Sequence, residues 1–200
     1  MSGKEKDKPG TRRITDLGTL KALGHPLRMK LYGALYVRRT ATASQLAEEV
    51  DEAVSLVSYH LRKLAEYGLI EEAEAGSGDG RERWWKPAQE SLSFHRKDFQ
   101  DAPEELAAHN AALRTLFQYR SERYLRYVDE QAAWSPEWQS AADSSDYLAR
   151  LTAAELAELG GELRALVDRF QERGKAADEA GDTEGREHVA LHLYSFPFRT

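Results

Sequence analysis

Two hundred residues, 41% hydrophobic and 31% charged, can fold as one substantial domain or two small ones. The chain has no cysteine, which excludes disulfides, thiolate metal sites, iron–sulfur clusters and thiol redox chemistry. No run approaches the ~20 apolar residues of a membrane span, and the charged opening MSGKEKDKPGTRR lacks the apolar core of a secretion signal, so a cytoplasmic protein without a membrane partner is expected.

The formal charge of −6 is unevenly spread. Residues 1–100 carry 17 Lys+Arg against 15 Asp+Glu, and residues 101–200 carry 11 against 19. A mildly basic half joined to an acidic one fits a nucleic-acid-binding module attached to a part with another task.

Residues 1–13 are polar and contain Pro9 and Gly10, and read as a mobile tail, either plainly disordered or a basic arm. Periodicity begins at Ile14. Leu17, Leu20 and Leu23 predict a short helix stopped at Gly24, and Pro26 suits the first position of a second helix. That helix buries Leu27, Leu31, Ala34 and Leu35 and ends near Arg38 and Arg39. Thr42 followed by Gln45 is a capping-box pair, opening a third helix that buries Leu46, Ala47 and Val50. A fourth, from about Ala53 to Tyr67, carries Val54, Val57, Leu61 and Leu64 on its inner face and ends at Gly68. Leu69–Glu74 and Arg83–Lys86 read as two strands joined by the turn AGSGDG and closed by Pro87. Two short helices followed at once by a hairpin is the layout of a winged helix-turn-helix, here spanning residues 14–90.

A long helix is predicted from Asp101 to about Glu130, with Leu106, Asn110, Leu113, Phe117, Tyr124 and Tyr127 as a near-heptad stripe that calls for a partner helix. The stretch from Trp134 to Trp138, containing Ser135-Pro136, breaks it. Beyond lie a strand at Asp146–Leu151, a helix opened by the capping box of Thr152 and Glu155 with Leu156, Leu159, Leu163, Leu166, Val167 and Phe170 buried, a loop at 174–185, and a strand at His188–Phe196 in which Val189, Leu191 and Leu193 alternate. The fold class expected is mainly α, α+β, with residues 101–200 forming a dimerisation helix and a small α+β unit.

With its inner stripe set aside, the fourth helix presents Ser55, Ser58, Tyr59, Arg62 and Lys63, the small polar and basic set that a helix in the major groove needs. Thr42, Ser44 and Gln45 of the preceding helix are expected to support it on the DNA. In the hairpin, Arg81 and Arg83 alternate beside three glycines, placed to reach the backbone or a minor groove. Trp84 and Trp85 point to opposite faces, one into the core.

Four stretches carry a resemblance to a known family: LGHPLRMKLYGAL at 23–35, TASQLAEEV at 42–50, VSYHLRKLAEYGLIE at 57–71 and GDGRERWW at 78–85. Residues 14–87 resemble the winged-helix regulators of the ArsR type, in the broad group that extends beyond thiolate metal sensors. The resemblance implies sequence-specific binding of double-stranded DNA, most often as a repressor. It places Ser58 and His60 on the DNA-facing helix and implies a homodimer on a pseudo-palindromic operator. The turn Val50-Asp51-Glu52 departs from the pattern, being acidic and without glycine.

No cofactor is expected. His188 and His192 share a face of the predicted last strand and Asp146 could join them, yet without cysteine the usual metal sites of the family are missing, and no metal site is assigned. The aromatics Phe117, Tyr124, Trp134, Trp138 and Tyr147 fit either a core or a pocket for a small organic ligand. No nucleophile elbow, phosphate loop, zinc-protease signature or dinucleotide fingerprint occurs, so an enzyme is not expected. The rival reading from another class is a winged-helix protein–protein interaction module.

Overall fold

The computed structural model describes residues 10–74 and 82–199, and the chain divides into two units, Met1–Glu130 and Gln131–Thr200. The expected wing turn, with Arg81, falls outside the described residues. Among the described residues no helix is long and apolar enough to cross a membrane.

The first unit opens with strand β1 (Thr11–Arg13) and helix α1 (Leu17–Leu23), capped by Asp16, whose carboxylate accepts from the Thr19 N–H at 2.7 Å. Helix α2 (Pro26–Arg38) starts on its proline, as predicted. Helix α3 (Ala43–Val50) follows the two-residue strand β2 (Ala41–Thr42), and both halves of the Thr42–Gln45 capping box are made. Helix α4 (Val54–Glu66) comes next. The acidic turn between α3 and α4 works because Asp51 adopts the left-handed conformation (φ 54°) that aspartate tolerates better than most residues. Gly68, at φ 63°, ends α4, with its own N–H on the Ala65 carbonyl and the Leu69 N–H on the Leu64 carbonyl.

The hairpin is present as β3 (Ile70–Glu72) and β4 (Trp84–Pro87), antiparallel, and β2 adds to the far side of β4, giving the order β2-β4-β3. Trp85 enters the core and Trp84 stays half-buried. A second, two-stranded sheet pairs β1 in parallel with β5 (Ser91–Ser93). Residues 11–13 are therefore no tail. Arg12 donates to the carbonyls of Tyr67 and Gly68 at 2.9 and 2.7 Å, and Arg13 forks onto Asp98.

One core joins Leu20, Leu31, Leu35, Leu46, Val57, Leu61, Leu64 and Trp85. It sits beneath α4 and fixes which of that helix's faces looks outward. Val54, expected inside, is exposed, because the inward direction of α4 is set by Val57, His60, Leu61 and Leu64.

The long helix α5 (Pro103–Glu130) goes with the first unit, whereas the sequence reading places the boundary before it. It is held there by His109, Ala112 and Thr115, all buried, and the Thr115 hydroxyl donates to the Gly24 carbonyl at 3.0 Å. In the second unit the regular elements are helical: α6 (Pro136–Ala141) and α7 (Ala153–Glu179), the latter with its capping box in place. The expected strands at Asp146–Leu151 and His188–Phe196 are not formed. Val189 is 75% exposed, and without a partner strand among the described residues the alternating pattern has no ladder to join. Helix α7 also runs on through Lys175–Glu179, expected as loop, since Lys, Ala and Glu are good helix formers. Its apolar stripe is not buried as expected. Leu159, Leu166 and Phe170 are exposed, and Leu156, Leu163 and Val167 are half-buried.

Candidate nucleic-acid interface

Helix α4 lies over the core with Ser55, Tyr59 and Arg62 outward, Tyr59 being 49% exposed. Ser58 and Lys63 sit at the edges of this face, half-buried. Arg62 Nε donates to the Ser58 carbonyl one turn back at 3.2 Å, which lays the guanidinium along the helix. Lys63 Nζ lies 2.8 Å from a Glu66 carboxylate oxygen and 5.9 Å from the centre of the Tyr59 ring. The hydrogen bond that Lys63 donates to that carboxylate raises its pKa above the ordinary value.

Two expected contacts take other roles. His60 is 5% exposed and points into the molecule, because it falls on the same inward arc as Val57, Leu61 and Leu64. Its ring meets that of His25, the residue before α2, at 4.6 Å between centroids, and the edge of Tyr59 at 5.1 Å. Burial, with the charges of His25 and Arg28, lowers the His60 pKa; burial and Arg28 lower that of His25. Thr42, 1% exposed, spends its hydroxyl on the Gln45 N–H and is a helix cap, not a surface contact. Gln45 remains exposed while its Oε1 accepts from the Thr42 N–H at 3.0 Å.

Between α3, α4 and β4 runs an open groove lined by Ser44, Ser58, Arg62, Glu82, Arg83 and Trp85. It brings together residues expected separately on the supporting helix, the recognition helix and the wing. Arg83 Nε lies 3.2 Å from Glu72 across the hairpin, and its guanidinium stands 5.5 Å from the Trp85 ring centre. Ser44 Oγ donates to Glu82 Oε1 at 2.7 Å. Nothing local in the sequence marks Glu82, since its place in the groove depends on the hairpin folding back against α3.

Residues 23–73 match the family described as a helix-turn-helix domain. The match begins before α2 and ends just after β3, so the helix-turn-helix pair α3–α4 lies wholly within it. No curated protein matches the chain. Among solved structures, a transcriptional regulator homologue from Pyrococcus horikoshii OT3 is 20% identical, with 50% of this chain and 86% of that chain covered at a TM-score of 0.31. An apo variant of Lactococcus lactis ZitR is 17% identical, with 72% and 83% covered at 0.29, and wild-type ZitR in complex with DNA is 18% identical, with 75% and 74% covered at 0.24. At these scores the wing attached to the helix-turn-helix rests on this chain's own β3–β4 hairpin.

The apolar residues expected at a dimer contact lie on α5. Leu113, Phe117 and Tyr124 are exposed, as is Asn110, and Leu106 and Tyr127 are half-buried. Of the aromatics considered for a small ligand, Tyr147 is 86% exposed, and Trp134 and Trp138 stand ring to ring at 6.3 Å. Among the described residues no three His, Asp or Glu side chains gather as metal ligands.

Proposed function

We propose that this chain is a sequence-specific, duplex-DNA-binding transcriptional regulator that represses as a homodimer. The observation that carries the reading is the outward face of α4, where Ser55, Tyr59 and Arg62 stand clear of the core beside a groove that also holds Arg83 of the wing. A helix presenting such side chains fits the major groove, and arginines on its flank and on the wing meet the phosphates alongside. The helix-turn-helix match supports this reading for residues 23–73.

Dimerisation is the second part of the proposal. Helix α5 is ~42 Å long at 1.5 Å per residue, and it exposes Leu113, Phe117, Tyr124, Leu125 and Val128 after docking its other face on α1 and α2. Two copies joined there present two recognition helices to half-sites about one helical turn apart, which predicts a pseudo-palindromic operator.

Selection of binders from a random duplex pool, followed by fluorescence anisotropy at two salt concentrations, tests the reading. The expected result is a palindromic consensus, affinity that falls steeply with salt, and roughly tenfold weaker binding by Arg62→Ala. Failure to bind any duplex at low salt overturns it and favours the protein–protein interaction reading.

A further inference from the structure

The groove between the helix-turn-helix and the wing has the donor set for an oxyanion: guanidinium groups from two elements, Arg62 of α4 and Arg83 near the start of β4, with the hydroxyls of Ser44 and Ser58. Arginine and serine are both among the side chains that hold DNA phosphates. In the same lining Glu82 contributes a carboxylate, bonded to Ser44. Sequence-independent attraction to the backbone gains nothing from an anion there, yet this one is tied down by a side chain of the supporting helix.

Resting on the DNA-binding reading above, we propose that Glu82 is a built-in competitor for a backbone phosphate. In the DNA-free protein its carboxylate occupies the groove and engages the Ser44 hydroxyl; when DNA docks, a phosphate takes its place and the carboxylate swings out to solvent. The Ser44–Glu82 bond lies open to solvent, its carboxylate end on an exposed residue and its hydroxyl end on a half-buried one, and a bond of that kind is weak enough for a phosphate to displace. Glu72 treats Arg83 in the same way, holding the wing arginine until a stronger anion arrives. The consequence is a lowered affinity for DNA of every sequence, which leaves discrimination to the outward face of α4.

Wild type and Glu82→Gln are compared on the selected operator and on a scrambled duplex across a salt series. Their melting temperatures are also followed as inorganic phosphate is titrated at constant ionic strength. Glu82→Gln is expected to bind both duplexes about tenfold more tightly at every salt concentration, with the ratio between them unchanged. Its melting temperature is expected to rise more with phosphate than that of wild type. Equal affinities in the two proteins overturn the proposal. So does a change confined to the operator, which makes Glu82 a reader of bases, such as the amino group of cytosine. If neither protein binds duplex, the DNA reading fails, and the phosphate titration then decides the groove: a larger response in the variant sustains a competing carboxylate, and equal responses dismiss it.

Discussion

His25 and His60 meet with ring centroids 4.6 Å apart, and Nδ1 of each is buried without a hydrogen-bond partner. After burial, the charge that acts on both is that of Arg28, and His60 also feels that of His25, all of one sign, while the phenols facing Arg28 belong to Tyr59 and Tyr67. Burial and these charges therefore disfavour the protonated form of both imidazoles and hold their pKa values below the ordinary 6.5. In the unfolded chain they regain ordinary values and bind protons more readily, so stability is full above about pH 6.5 and declines as the pH falls through that value. Asp16, Asp98 and Glu104, whose pKa values are lowered, act in a separate window, since their contribution is lost only below about pH 4.5. Thermal melting between pH 8 and 5.5 is expected to show a fall in wild type that the double variant His25→Gln/His60→Gln flattens. Parallel curves for the two proteins would refute this account. The inward turn of His60 was legible in the spacing, because 57, 60, 61 and 64 share one helical arc; the resemblance drew the same residue toward DNA instead.

The docking of α5 depends on one glycine. A methyl group at Gly33 of α2 would stand 2.0 Å from the Tyr119 hydroxyl oxygen and 2.5 Å from Cζ, so the ring must swing out of its place between the helices. Gly33→Ala is expected to cost about 1–3 kcal/mol by urea denaturation, and combining it with Tyr119→Leu should cost less than the sum of the two changes. Additive costs would show that the two side chains do not meet. Elements whose signals are local were readable in the sequence. The capping boxes at Thr42 and Thr152, the proline start at Pro26 and the glycine stop at Gly68 each act within a few residues and stand where predicted. Elements formed by distant pairing were not. Nothing in TRR at 11–13 announces a strand, since its partner lies at Ser91–Ser93, and β2 exists only because β4 runs beside it. The converse holds at His188–Phe196, where alternation is present and, among the described residues, a partner strand is not. The groove at Glu82 shows the same limit: Arg62 and Arg83 could be named from the sequence, but the carboxylate near them could not.

At the scale of the whole molecule, the exposed stripe of α5 carries the proposed dimer. Leu113→Glu puts a charge in that stripe and is expected to give a monomer by light scattering. The melting temperature is expected to lose its dependence on protein concentration and to fall only by the contribution of association, since the residue lies off the core of the single chain. Operator affinity is expected to fall about a hundredfold, because half-sites bound one at a time lose the effective concentration of a joined pair. A dimer that survives the change would move the interface elsewhere. The parallel pairing of β1 with β5 bears on how the first unit comes together in time. Thr11 bonds Ser91 across 80 residues of chain, so this contact closes a loop that holds all of α1 to α4 and the hairpin. Such a closure brings little return until what it encloses is already in place. Arg13, anchored on Asp98 beyond β5, is then a late contact, absent from the rate-limiting barrier. Arg13→Ala should therefore leave the refolding rate of the chain unchanged in stopped-flow experiments while unfolding accelerates, so that the clasp sets how long the folded unit lasts and not how quickly it forms.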